Sequence, residues 1–197
     1  MRRRSAGGCA WNIRGFARRP EKSAPFSTLA MRVECAPDHV SGRTWAQRGH
    51  TPEVHRTSHR DVVSLLSAIT PRGDLLFITS PVKVNSDVFI RFLRRLLAHH
   101  RRRKLVLIVD RSAYHGSRKT RAFVAAHADR LRVEYLPANA PDLNPDEHVW
   151  GHLKGSGATD SATGVFGDVR RQVRSHLKSL QRRPHLVRAF YYACYVA

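Results

Sequence analysis

The hydrophobic positions along the chain change period several times after residue 60. Residues 61–69 and 75–79 form two apolar, β-branched runs joined by a Pro-Arg-Gly-Asp turn, which predicts an antiparallel hairpin. Residues 104–110 form a continuous apolar run that ends in the carboxylate of Asp110, as expected for a strand buried on both faces of a sheet. Residues 131–136 alternate and predict a further strand.

Helical spacing alternates with these strands. Residues 85–102 carry one apolar stripe behind a capping Asn or Ser, and residues 117–127 follow a capping Ser. The Asn144-Pro145 pair predicts the start of a third helix, and residues 165–180 and 185–196 have helical periods. This order of elements predicts an α/β fold with a mixed sheet flanked by helices.

The first 37 residues have no sustained period of 2 or 3.6. They are rich in Arg, Ser, Pro, Gly and Ala, so we expect residues 1–37 to be disordered. The chain is then divided into residues 1–37, a central domain over 38–160 and a basic helical tail over 161–197.

The charge of the chain is far from balanced. Its 197 residues include 35 Lys and Arg but only 15 Asp and Glu, a formal net charge of +20. Such an excess indicates a polyanionic partner, although a ribosome-associated protein has similar composition. The hydrophobic content of 42% is enough for a folded core.

The cysteines and the hydropathy exclude several classes. Cys9, Cys35 and Cys194 are odd in number and lack metal-ligand spacing, so neither a disulfide framework nor a zinc site is indicated. No apolar run approaches the roughly 18 to 20 residues that a membrane helix needs, and no secretory signal is visible. We therefore expect an intracellular, cytoplasmic protein without a membrane partner.

Acidic residues are the candidates for chemistry. Asp110 ends the central strand, where ligands bind in open α/β sheets, although an Asp there can simply cap the next turn. Glu147 lies in the first turn of a predicted helix, where compensation of the helix dipole is the simpler interpretation. With Asp142 and Asp146 it forms an acidic cluster suited to Mg²⁺. Carboxylates from two elements can hold a metal pair about 4 Å apart for phosphodiester chemistry.

Three segments carry a family resemblance. Residues 106–115 (VLIVDRSAYH), 133–154 (VEYLPANAPDLNPDEHVWGHLK) and 43–52 (RTWAQRGHTP) resemble the catalytic domain of bacterial insertion-sequence transposases of the mariner-like DDE superfamily. The resemblance covers about residues 38–155, and its most specific part is the Pro-Asp-Leu-Asn-Pro-x-Glu-x-x-Trp string. It implies a ribonuclease-H-like fold and DNA, both transposon ends and target, as the partner.

The resemblance also implies the site residues. Asp110 and Glu147, which are 147 − 110 = 37 positions apart, become the second and third acids of a catalytic triad and the ligands of Mg²⁺ or Mn²⁺ ions, two when the site is intact. His115 matches a histidine common in the family, whose other interpretation is an ordinary turn residue packed on the sheet. Trp45 and Trp150 are expected in the core margin rather than stacked on bases. Arg111 stands where members usually have Asn.

The first acid of the triad is missing from its expected place. It belongs on an opening strand, in an Asp-Glu pair that here falls on Met31 and Arg32, so we expect the first strand to be missing or degraded. Glu34 and Asp38 are nearby acids, but neither follows an apolar run. Reading the codons from the third base of Ala30 can give Asp-Glu, so we hypothesise that residues before about 37 are translated out of frame. The nucleotide sequence of codons 30–36 tests this hypothesis.

Basic residues are the candidates for DNA contact. Solvated basic faces are common, but two clusters suit salt-dependent binding to the phosphate backbone. These candidates are Arg101, Arg102, Arg103, Arg170, Arg171, Arg174 and Lys178.

The function expected from the sequence is that of a DNA transposase catalytic domain, N-terminally truncated or frameshifted and impaired by loss of the first Asp. It would hydrolyse and join phosphodiesters at transposon ends, act on the bacterial nucleoid and form a homodimer. The alternative is a non-enzymatic basic DNA-binding protein.

Overall fold

The computed structural model describes residues 26–35, 63–137, 144–155 and 166–193. Its strands are β1 (Phe26–Cys35), β2 (Val63–Ile69), β3 (Leu75–Ser80), β4 (Leu105–Val109) and β5 (Leu131–Tyr135). Its helices are α1 (Ser86–His99), α2 (Arg118–Ala125), α3 (Asp146–Gly155), α4 (Phe166–Gln181) and α5 (Pro184–Ala193). No helix among these residues is long and apolar enough to cross a membrane.

The strands form one mixed sheet in the order β3-β2-β1-β4-β5. The β2 and β3 strands pair antiparallel, which confirms the predicted hairpin, and β1 pairs antiparallel with β2. On its other edge β1 runs parallel to β4, which in turn runs parallel to β5. The predicted mixed α/β sheet is therefore confirmed.

The central strand of this sheet comes from the segment expected to be disordered. Residues 26–35 form β1, so the prediction that the first strand is missing or degraded is wrong, and the sheet begins before residue 38. Leu29 illustrates the reason, because it pairs with Ile69 on β2 and with Ile108 on β4. Two neighbouring ladders stabilise a strand whose own polar residues hide its period. This strand counts against the out-of-frame hypothesis for residues 26–35.

The two faces of the sheet pack against different helices. Leu66 and Leu107 belong to a core formed with Phe89, Phe92 and other apolar residues of α1. Leu65 and Ile108, which alternate with them along β2 and β4, belong to a second core formed with α3, α4 and α5. In the segment predicted to be a basic helical tail, residues 166–181 and 184–193 form α4 and α5, whose apolar sides are part of this second core.

The helix boundaries place the functional candidates. The side chain of Asn85 caps α1, because it accepts hydrogen bonds from the backbone N–H groups of Asp87 and Val88. The helix ends at His99, before the predicted end at residue 102, so Arg101–Arg103 lie in the turn that enters β4. Ser117 caps α2 through a hydrogen bond from the Thr120 N–H.

Candidate active site at the carboxyl end of the parallel strands

Asp110 follows the last residue of β4, at the carboxyl end of the strand. The neighbouring parallel strand β1 extends past the same level of the sheet. The ladder between β1 and β4 ends with the pairing of Leu29 and Ile108. Each further residue advances both parallel strands by one position, so two steps bring Met31 level with Asp110. On the other side of β1, Met31 pairs with Ser67 of β2. One row across the sheet therefore contains Ser67, Met31 and Asp110.

The carboxylate of Asp110 is held by the turn that follows it. Its Oδ1 accepts a hydrogen bond from the backbone N–H of Ser112 at 2.8 Å. The Nδ1 atom of His115 lies 2.8 Å from the same oxygen and 3.0 Å from the main-chain oxygen of Asp110. A donor at His115 Nδ1 thus faces both acceptors and restrains the orientation of the Asp110 side chain.

These hydrogen bonds set the protonation state of Asp110. Partial burial alone would raise the pKa of the Asp110 carboxyl, but the hydrogen bonds from His115 and Ser112 outweigh it and lower the pKa to about 2. The carboxylate is consequently ionised throughout the neutral range. Its side chain is also 40% exposed, which leaves it accessible from solvent.

His115 itself is enclosed by apolar groups. It is fully buried, and its ring lies 4.4 Å from that of Phe89 and 4.2 Å from that of Tyr114, measured between centroids. Its Nε2 atom has no hydrogen-bond partner among the described residues. A proton on Nε2 would find no acceptor there, whereas a proton on Nδ1 can be donated to Asp110. His115 therefore packs on the core and also holds Asp110.

The acidic cluster of the sequence is divided by the start of α3. Asp146 is fully buried, and its Oδ2 accepts a 2.6 Å hydrogen bond from the Ser67 hydroxyl. Glu147, the next residue, is only partly buried. The buried stripe of α3 consists of Asp146, Val149, Trp150 and Leu153, and Glu147 lies beside this stripe. Asp142 lies outside the described residues.

An open pocket of about 440 Å³ lies beside Asp110. It is lined by Arg111, Ser112, Ala113, Gly116 and Tyr135. The Arg111 side chain is exposed, and its Nε donates a hydrogen bond to the main-chain oxygen of Leu136 at 3.2 Å. The residue that replaces the usual Asn thus brings a positive charge to the rim of the site.

The predicted DNA-contacting residues form two groups, one before β4 and one on α4. Arg101–Arg103 are exposed and precede β4, whereas Asp110 follows it. The five residues of β4 separate Arg101–Arg103 from Asp110 by about 17 Å, at about 3.3 Å per residue. On α4, Arg171, Arg174 and Lys178 are exposed, and Arg170 is partly buried.

The remaining residues singled out in the sequence lie in the core, away from Asp110, or outside the described residues. Trp150 is 2% exposed, which agrees with a packing role rather than stacking on bases. Trp45 and Asp38 lie outside the described residues. Glu34 pairs with Ser64, three positions beyond the pairing of Met31 with Ser67, so it is not level with Asp110.

The polar contact between Ser67 and Asp146 was not predicted from the sequence. Ser67 and Asp146 are 79 positions apart, and neither belongs to a motif that would associate them. The only signal was the position of Ser67, a polar residue between Leu65 and Ile69 on the same face of β2. A buried hydroxyl at such a position needs a hydrogen-bond partner, which the helices packed on that face of the sheet can supply.

The donor set at this edge suits a hard divalent cation. No group of three or more His, Cys, Asp and Glu side chains within the described ranges is arranged to hold a metal ion. Asp110 nevertheless offers an ionised, accessible carboxylate, and carboxylate oxygens are the ligands that Mg²⁺ and Mn²⁺ prefer. At the same level of the sheet, β1 contributes Met31, which supplies no oxygen ligand.

Comparison with known proteins gives relatives over most of the chain. A family model described as DDE superfamily endonuclease matches residues 32–162. A protein of insertion element IS630 from Shigella sonnei, described as an uncharacterized 39 kDa protein, is 26% identical over 144 residues. That match covers 73% of this chain and 42% of the relative.

Solved structures are similar in fold. The Mos1 transposase paired-end complex with the left transposon end superposes with a TM-score of 0.60 at 14% identity, covering 85% of this chain and 54% of that one. The Mos1 mariner paired-end complex with Mn gives 0.61 at 13% identity, with the same coverage. The Mos1 catalytic domain gives 0.51 at 13% identity, covering 84% of this chain and 79% of that one. The expected ribonuclease-H-like fold is therefore confirmed, and the chain spans about half the length of the longer relatives.

Proposed function

Because the chain belongs to the DDE superfamily of endonucleases, we propose that it is the catalytic domain of an insertion-sequence transposase whose cleavage activity is impaired. It binds DNA at transposon ends and holds divalent metal ions at Asp110 and Glu147. The single observation that carries this proposal is the ionised, accessible carboxylate of Asp110, held by His115 at the carboxyl end of the central parallel strands.

The proposed partner of Asp110 is Glu147. The first turn of α3 lies over β2, because Asp146 contacts Ser67. Ser67 lies in the same row of the sheet as Asp110, two strands away from it. At about 4.8 Å per strand this separation is about 10 Å, which a glutamate side chain and a bound ion can span. When bound, Mg²⁺ or Mn²⁺ would activate a water or a DNA 3′-hydroxyl and stabilise the leaving oxygen of a phosphodiester.

Impairment is proposed from the identity of one residue. The position in β1 beside Asp110 is occupied by Met31, and a thioether replaces the carboxylate expected there. Two carboxylates bind a metal pair less tightly than three do, because their smaller total negative charge offsets less of the repulsion between the two ions. We therefore expect weak metal binding and little or no strand cleavage.

DNA is proposed to bind along the basic surfaces. Arg101–Arg103 and the exposed basic side of α4 would contact the phosphate backbone, of transposon ends or of target DNA. Several Mos1 structures are paired-end complexes, and we propose by analogy that two copies of this chain assemble on two ends. Binding to chromosomal DNA would associate the protein with the nucleoid.

A metal and cleavage assay tests the proposal. Mn²⁺ binding is measured by calorimetry for the wild type and for the double variant Asp110→Ala, Glu147→Ala, together with nicking of transposon-end DNA. We expect metal binding by the wild type only, and nicking close to background for both proteins. Robust metal-dependent nicking by the wild type would overturn the claim of impairment. Equal metal binding by the two proteins would overturn the site and favour a non-enzymatic DNA-binding protein.

A further inference from the structure

We propose that Ser67 and Asp146 form a buried tether that positions Glu147 for metal binding. The inference rests on the proposed function, in which Glu147 is a metal ligand, and it assigns a positioning role to two residues that do not touch the metal. The tether joins the middle of β2 to the first residue of α3, immediately before Glu147.

The contact has the features of a strong restraint. The Ser67 hydroxyl donates to Asp146 Oδ2 at 2.6 Å, and both side chains are fully buried. A hydrogen bond in the buried interior is stronger than one exposed to solvent, and burial excludes water as a competing donor. An apolar residue at position 67 would remove this link between β2 and the buried Asp146, so the pair restricts where α3 can begin.

The hydrogen bond to Ser67 directs the Asp146 side chain to β2. Its carboxylate contacts Ser67, which is two strands, or about 10 Å, from the level of Asp110. With its carboxyl group engaged by Ser67, Asp146 is assigned a role through its neighbour in the chain, Glu147.

The start of α3 transmits this restraint to Glu147. The side chain of Asn144, itself buried, accepts a hydrogen bond from the Asp146 N–H at 3.2 Å, and its main-chain oxygen accepts one from the Glu147 N–H at 3.0 Å. With the side chain of Asp146 fixed to the sheet and its backbone fixed by Asn144, the direction of the Glu147 side chain is restricted. Residues that orient a metal ligand typically affect metal affinity by about 10- to 100-fold.

The chain contains a matched control. Ser64 lies on the same strand and is also fully buried, but it is on the opposite face of the sheet and its hydroxyl has no hydrogen-bond partner among the described residues. Ser64→Ala and Ser67→Ala thus make the same chemical change in the same strand, and only the second removes the tether.

The test measures Mn²⁺ affinity by electron paramagnetic resonance and hydrogen exchange at the Glu147 amide. We expect Ser67→Ala to weaken Mn²⁺ binding by about 10-fold or more and to speed exchange at Glu147, whereas Ser64→Ala changes neither. Ser67→Thr, which keeps the hydroxyl, should restore both values. Asp146→Asn keeps an acceptor and should resemble the wild type, and Asp146→Leu, which removes the acceptor instead of the donor, serves if Ser67→Ala does not fold.

The outcomes separate this inference from the proposed function. If Ser67→Ala and Asp146→Leu bind Mn²⁺ as the wild type does, the tether does not position Glu147 and the inference is wrong. If no protein binds Mn²⁺, the metal-dependent function fails, and hydrogen exchange still decides whether the tether restrains α3. Equal exchange in Ser64→Ala and Ser67→Ala would then reject the tether as well.

Discussion

Replacing Met31 with Asp should strengthen metal binding at the site proposed around Asp110. Met31 is level with Asp110 on the adjacent strand, so the new carboxylate would lie about 5 Å from that of Asp110. At this separation two carboxylates repel by about 3 kcal/mol at an effective dielectric constant of 20 and by about 1 kcal/mol in water. Without metal, Met31→Asp should therefore be less stable than the neutral Met31→Asn by about 1 to 3 kcal/mol at pH 7.

A divalent ion reverses this penalty. Even for an ion as far as about 5 Å from the added carboxylate, the attraction is about 7 kcal/mol at a dielectric constant of 20 and about 1.7 kcal/mol in water. Asp110 is 40% exposed, so screening puts the gain nearer the lower value, which is more than about 10-fold in affinity. The gain should disappear when Met31→Asp is combined with Asp110→Asn.

The assay is Mg²⁺ and Mn²⁺ titration calorimetry on Met31→Asp and Met31→Asn, with thermal melting at each metal concentration. Metal should raise the melting temperature of the Asp variant more than that of the Asn variant, as expected for a ligand that binds the native state. Nicking of transposon-end DNA by the Asp variant would extend the result to chemistry. Equal metal affinity for the two variants would refute the assignment of position 31 to the metal site.

Three further predictions address the surroundings of the site. His115→Ala removes the main donor to Asp110, so the pKa of Asp110 should rise from about 2 toward 3.8 in an NMR titration, and an unchanged pKa would reject the role of His115. Burial and the nearby His152 lower the pKa of His176, so the unfolded chain binds more protons than the folded one as pH falls through about 6.5. Stability measured in urea should therefore decrease from pH 7.5 to 5.5, and less so in His176→Asn; an equal decrease would contradict this. Alanine at all of Arg101–Arg103 should reduce the slope of log binding constant against log salt concentration for DNA by up to about 3. Mn²⁺ affinity should not change, because these residues precede β4 and Asp110 follows it.

The sequence predicted the elements whose apolar pattern is local. Residues 105–109 are buried on both faces, and their uninterrupted apolar run was enough to identify β4 and the carboxylate after it. The hairpin and the starts of α1 and α2 followed equally from turn and capping residues. These features depend on residues within a few positions of one another.

Features that depend on distant residues were not predictable in this way. In β1, Ser27, Thr28, Arg32 and Glu34 interrupt the apolar residues, and the strand is specified by pairing with β2 and β4. The contact between Ser67 and Asp146 likewise requires the sheet and α3 to be in place. His115 was recognised through its position in a motif, but its contact with Asp110 became visible only in the folded turn.

The central claim is that Asp110 and Glu147 hold a shared divalent ion. Anomalous diffraction from crystals of the wild-type chain soaked in Mn²⁺ measures this directly. We expect a manganese peak within about 2.2 Å of a carboxylate oxygen of each residue. A well-ordered site with no peak between the two side chains, or with Glu147 directed away from Asp110, would contradict it.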